Sequence, residues 1–170
     1  MTEKINQKTE NKPEIILVLH NIRSTHNVGS LFRSADGAGV AEIILSGYTP
    51  TPIDKYGRNR NDIAKTALGA ELSLPWQQIE SLSDFIKQKK AEGFLISAIE
   101  QAPNSVHYKK VNQKNKSTQK QILILGNEVL GVDDETLSLC DQIIEIPMAG
   151  DKESLNVGVA GAIVLFELLS

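Results

Sequence analysis

Three unbroken apolar runs constrain this chain more than any other feature: "EIILVLHN" at 14–21, "AEIILSG" at 41–47 and "QILILGNE" at 121–128. A strand with one wet face alternates apolar and polar residues. These runs do not alternate, so both faces must be covered, as in a parallel sheet sandwiched between helices. "FLISAIE" at 94–100 and "QIIEIPM" at 142–148, stopped by Pro147, read as further strands. Segments of helical spacing lie between and after them. These are about 28–38, with Val28, Leu31, Phe32 and Ala35, then "SLSDFIKQKKAEG" at 81–93, "DDETLSLC" at 133–140 and "LNVGVAGAIVLFELL" at 155–169. Strand alternating with helix predicts one α/β domain over 15–170 with a mostly parallel sheet. Asn27 is a candidate N-cap of the first helix, and Gly37 and Gly39 punctuate its end. The polar residues 1–14 are expected to form a disordered tail. Residues 48–61 and the lysine-bearing stretch 103–120 are expected to be irregular loops.

Composition then removes several classes. The chain is 41% hydrophobic and 23% charged, as expected for a soluble globular protein. Its longest apolar run, 161–169, is too short to cross a bilayer. No apolar leader precedes the first strand, so a cytoplasmic location is expected. The single cysteine, Cys140, allows no internal disulfide, and His20, His26 and His107 lack metal-ligand spacing. No metal is expected. "GAGVAE" at 37–42 lacks the third glycine of a dinucleotide loop and follows a helix rather than a strand. No nucleophile elbow of the form G-x-S-x-G is present, although composition alone leaves a Ser–His–Asp set open.

The net charge of −3 does not announce a nucleic-acid partner. The arginines are few and local: Arg23 and Arg33, then Arg58 and Arg60. The second pair lies in "YGRNR", beside Tyr56, a composition suited to phosphates and bases.

In open parallel sheets ligands sit beyond the carboxyl ends of the strands. Those ends carry Asn21, Asn27 and Arg33 after the first run, and Gly126, Asn127 and Glu128 after "ILIL". Ser154, Leu155 and Asn156 follow "IIEIP" at a helix start. Each has a plainer reading beside the functional one. Arg33 can be a surface or salt-bridge residue, and Glu128 can be a carboxylate that ties down a turn. Ser154 or Asn156 can cap the last helix.

Taken together, these residues resemble the SpoU (TrmH-type) RNA 2'-O-ribose methyltransferases of the SPOUT superfamily. The resemblance rests on "NIRSTHNVGSLFRSA" with Asn27 and Arg33, "LILGNEVLGV" with Gly126, Glu128 and Gly131, and "IPMAGDKESLNVGVAGAIVLFE". The three segments stand in the family's order and span residues 21–167. Gly158 departs from the pattern, since the family usually has Ser or Ala there.

The resemblance implies an α/β knot, with the C-terminal segment threaded through a loop, although true knots are rare among folds. It implies S-adenosylmethionine as cofactor, contacted by Gly126, Ile146 and Leu155. RNA (tRNA or rRNA) is the implied substrate, with Arg23, Arg58 and Arg60 as candidate RNA contacts. A homodimer is implied, completed near the closing helix. Arg33 becomes the catalytic candidate, supported by Asn27, Glu128, Ser154 and Asn156. Because a guanidinium normally stays protonated, Arg33 is either an unusual base or an anchor for phosphate and developing alkoxide charge. A non-catalytic RNA-binding protein that keeps the knot is the alternative, and a methyltransferase for a non-RNA substrate is a third reading.

Overall fold

The computed structural model describes residues 13–114 and 120–170. Most of the expected tail, residues 1–12, lies outside them, as does 115–119 of the lysine-bearing stretch. Seven parallel strands form one sheet in the order β3-β2-β1-β6-β4-β7-β5. The central strands are β1 (Glu14–His20), β6 (Lys120–Leu125) and β4 (Leu95–Ile99), flanked by β2 (Glu42–Ser46) and β7 (Gln142–Glu145). β3 (Trp76–Ile79) and the two-residue β5 (Val106–His107) are the edges.

The period of two in β1 shows why its run had to be apolar throughout. Ile15, Leu17 and Leu19 enter one core, whereas Ile16 and Val18 enter the other. The first core lies under α1 (Thr25–Ala38), α2 (Asn61–Ala67), α3 (Ala70–Ser73) and α7 (Val157–Leu169). The second lies under α4 (Leu82–Ala91) and α6 (Asp134–Leu139). Each fully buried Leu or Ile contributes about 2 kcal/mol of transfer free energy. A polar residue anywhere from Ile15 to Leu19 therefore injures one core or the other.

β6 is the last central strand to enter, inserting between β1 and β4. The chain reverses its order here, and the loops leaving β1, β6, β4 and β7 meet at one end of the sheet. Two glycines permit this packing. A Cβ on Gly161 of α7 would lie 2.6 Å from Leu31 Cδ2 and 2.8 Å from Leu125 Cδ1, so these buried side chains would have to shift for α7 to press as closely onto α1 and β6 with one. Gly131, at φ 70°, closes the turn after β6 through reciprocal backbone bonds with Asn127.

Several elements differ from the sequence reading. α1 begins at Thr25, and its N-cap is Ser24, whose hydroxyl accepts from the Asn27 N–H at 3.2 Å. Asn27 is thus not the cap; it sits inside the first turn with its amide free for other partners. The 103–120 stretch is not wholly loop. β5 and α5 (Tyr108–Lys114) lie within it, and α5 is anchored by buried Val111. Helices α2 and α3 and strand β3 went unread. The helices are too short to show a period, and β3 exposes Gln77 and Gln78.

Candidate active site

The loops beyond β4, β6 and β7 enclose a cavity of about 210 Å³. Its apolar wall comes from Ile99, Leu125, Ile144, Ile146, Met148 and Leu155. Its polar edge carries Glu100, Glu128, Glu145 and Ser154. Among the described residues no Lys, Arg or His lines it. The sequence-derived Gly126, Ile146, Leu155, Ser154 and Glu128 all meet here, although they come from two distant segments.

A chain of hydrogen bonds joins the three sequence segments beside this cavity. Glu128 accepts from the backbone N–H of Arg23 at 3.1 Å, from that of Ser24 at 3.0 Å and from Asn27 Nδ2 at 3.2 Å. Asn27 Oδ1 in turn accepts from Asn156 Nδ2 at 3.1 Å. Asn156 Oδ1 accepts from the N–H of Gly158 at 2.8 Å and of Val159 at 3.3 Å, capping α7. The start of α1, the turn after β6 and the start of α7 are therefore fixed to one another.

The electrostatics follow from these bonds. Burial disfavours the Glu128 anion, but hydrogen bonds from Ser24, Arg23 and Asn27 outweigh it and hold the carboxyl below its ordinary value. At neutral pH Glu128 is an acceptor already engaged by three donors, poorly suited to giving or taking a proton. Its clasping role and its place at the site coincide.

The arginines divide into two kinds. Arg58 Nε donates to Asp54 Oδ2 at 2.9 Å, and Arg60 Nη2 to Asp62 Oδ2 at 3.1 Å. Arg58 and Lys55 also lie over the Tyr56 ring, 5.0 and 4.9 Å from its centroid. Among the described residues the exposed guanidinium groups of Arg23 and Arg33 make no ion pair. Arg33 lies eight positions after Thr25, about 12 Å down α1 at 1.5 Å per residue, and does not line the cavity.

A second polar cluster was not foreseen. His20 Nδ1 lies 2.8 Å from Ser46 Oγ, and His20 Nε2 lies 3.3 Å from Asp133 Oδ2. The set has the membership of a hydrolase triad, but Ser46 is 1% exposed and cannot meet a substrate. It ties the ends of β1 and β2 to the start of α6. Desolvation lowers the His20 pKa, with Asp133 opposing it. Burial pushes the Cys140 thiol up to about 11, so it remains protonated and unreactive at neutral pH.

An open parallel sheet with a cavity at its strand ends, walled by apolar loops and edged by carboxylates, defines an α/β domain with a ligand site at the usual place for such sheets. The comparisons with known proteins make the assignment specific. The chain belongs to the SpoU rRNA Methylase family, whose model matches residues 14–166. It is 31% identical over 154 residues to a 23S rRNA (guanosine-2'-O-)-methyltransferase, RlmB, of Vibrio vulnificus, covering 90% of this chain and 58% of that protein. It is 30% identical over 159 residues to a tRNA (guanosine(18)-2'-O)-methyltransferase of Escherichia coli, covering 92% and 63%. The AdoMet-bound rRNA methyltransferase of Sinorhizobium meliloti superposes with a TM-score of 0.81 at 29% identity, over 92% of this chain and 56% of that one. The chain thus spans about three-fifths of the length of these curated relatives. Among the described residues no helix is long and apolar enough to cross a membrane.

Proposed function

We propose that this chain transfers a methyl group from S-adenosylmethionine to a ribose 2'-hydroxyl of tRNA or rRNA. The observation that carries this is the cavity beyond β4, β6 and β7, edged by carboxylates and contiguous with the Glu128–Asn27–Asn156 chain. A cavity with three carboxylates and, among the described residues, no cation favours a ligand bearing positive charge and disfavours a free nucleotide phosphate. S-adenosylmethionine is cationic at sulfur, and the apolar wall suits its adenine, so the residues present fit it. The bound cofactor supplies the electrophilic methyl group. Gly126, Ile146 and Leu155 hold it through backbone and apolar surface.

The chain's own task is to position reactants and manage charge. Glu128, Asn27 and Asn156 fix the start of α1 relative to the cavity. Ser154 is exposed on the cavity edge, available to the ribose. Arg33, exposed and without an ion pair among the described residues, binds the phosphate next to the reacting ribose and steadies developing alkoxide charge while water removes the proton. Its exposure favours this role over that of a base, because a guanidinium in water is a poor proton acceptor. Arg23 and, less strongly, Arg58 and Arg60 contact the RNA backbone.

Arg33 stands outside the cavity of its own chain, and α7 exposes Val159 and Phe166. Both features support a homodimer in which the site is completed near α7. The C-terminal segment is proposed to thread a knot, and the protein to act in the cytoplasm without a metal. The test is to map 2'-O-methylation across tRNA and rRNA in cells with and without the gene. One site lost, then restored by wild type but not by Arg33→Ala, is expected. No lost site would favour a binding protein.

A further inference from the structure

Glu100 and Gln101, which follow β4, lie outside the three sequence segments and drew no notice in the sequence. Glu100 is set in place by its own N–H, which donates to the Ile144 carbonyl at 3.0 Å. Its carboxylate lines the cavity. Oε2 accepts from the Val132 N–H at 3.0 Å, and Oε1 accepts from the Gln101 N–H at 2.8 Å. The same carboxylate fills the space beside Gly131, where a Cβ would collide with it. Gln101 reaches the other way: its Nε2 donates to the Glu153 carbonyl at 2.6 Å. Two consecutive residues thus hold the turn after β6 and the loop before α7, the two walls of the cavity.

We propose that Glu100 and Gln101 form a staple that sets the separation of the cavity walls and thereby determines cofactor affinity. The proposal rests on the reading of this cavity as the S-adenosylmethionine site. Both are positioning residues: they act through the backbone of Gly131, Val132 and Glu153. The Glu100 carboxylate binds one wall directly, at the Val132 N–H, and its second bond, from the Gln101 N–H, orients the residue that binds the other. Its loss therefore loosens the pocket for any ligand of this shape, charged at sulfur or not. The binding of both S-adenosylmethionine and S-adenosylhomocysteine should fall, the former somewhat more, because Glu100 also adds to the negative charge of the cavity edge.

Calorimetric titration of both ligands into the full-length wild type and the variants E100A, E100Q and Q101A tests this. E100A is expected to weaken both ligands by about tenfold, as expected when a buried N–H loses its acceptor. E100Q keeps a carbonyl oxygen for the Val132 N–H, so it should recover most of that loss; Q101A should weaken both by about threefold. Thermal unfolding of E100Q and Q101A near the wild-type temperature separates a positioning role from simple instability, and these two variants carry the test if E100A does not fold. In the E100A/G131A pair, removing the carboxylate should relieve part of the G131A loss, a coupling that independent sites lack. Wild-type affinity in E100A, or in E100Q and Q101A together, overturns the staple. A loss confined to S-adenosylmethionine overturns it too, because that marks direct contact with the cationic sulfur. Failure of the wild type to bind either ligand overturns the cofactor reading itself.

Discussion

Two arginine-bearing regions of this molecule look equally suited to RNA in sequence and differ sharply in structure. At the α1 end, Glu128 fixes the backbone at Arg23 and the start of the helix that carries Arg33, and among the described residues neither guanidinium makes an ion pair. In the 48–61 loop, Arg58 is bound to Asp54 of the same loop and Arg60 to Asp62 in the first turn of α2. Exposed pairs of this kind add little to stability. They nonetheless weaken the field that each arginine presents, because a phosphate must compete with the carboxylate. A cation available for chemistry is one whose surroundings leave it unpaired while holding its backbone still.

The largest expected effect comes from breaking the first region at its free charge. Arg33→Ala should reduce methyl transfer by roughly 100-fold or more, as for loss of one preorganised charge-stabilising group. Cofactor affinity measured by calorimetry should stay unchanged, because Arg33 does not line the cavity. Arg33→Lys keeps the charge without the planar fork and should recover part of the activity.

Breaking the clasp comes next. Glu128→Ala leaves the N–H groups of Arg23 and Ser24 and the Asn27 amide without their acceptor. A loss of about 1 kcal/mol, or about 2–4 °C in the unfolding temperature, is expected for a chain of this size. Cofactor binding should weaken as well, since the same turn walls the cavity. Asn156→Ala should resemble it, because that variant loses both the α7 cap and the bond to Asn27.

The clasp also has a pH signature. The folded Glu128 pKa lies below its ordinary value of 4.5. Its contribution is fully present above that value and disappears as pH falls through the lower, folded-state value. Urea unfolding followed from pH 7 to pH 3 should show this loss in the wild type and a smaller one in Glu128→Gln.

The second region should give the smallest changes. The Arg58→Ala, Arg60→Ala double variant should weaken RNA binding by only about threefold at moderate salt, with a shallower salt dependence and no change in cofactor affinity. Asp62→Asn sharpens the comparison in the opposite direction. It releases Arg60 and should strengthen RNA binding by about twofold at low salt. Filter binding to a tRNA mixture across a salt series measures both.

The apolar strands were legible because burial on both faces leaves a continuous run that few other structures require. The three segments around Asn27, Glu128 and Asn156 were legible as residues, but not as a network. Nothing local says that an amide at position 27 bridges a carboxylate at 128 and an amide at 156; the sheet order brings them together. Ser24 took the cap because serine, free at the preceding turn, reaches the Asn27 N–H as readily as asparagine would have capped its own helix. Glu100 was invisible for the same reason as the network. Its partners, at 132 and through Gln101 at 153, become neighbours only when β6 inserts between β1 and β4. The pairing of Arg58 with Asp54 was within reach of sequence, being an i, i+4 spacing, but the loop between them shows no helical period that would bring the two together.

The most direct test uses methyl-labelled S-adenosylmethionine with purified protein and a mixture of tRNA and rRNA lacking their native modifications. Alkaline hydrolysis cleaves RNA through the free 2'-hydroxyl, so a 2'-O-methylated ribose leaves an uncleaved, labelled dinucleotide. Label in alkali-resistant dinucleotides with wild type, and almost none with Arg33→Ala, is the result expected. Label released as mononucleotides, or transferred equally by Arg33→Ala, would contradict ribose methylation at a site governed by Arg33.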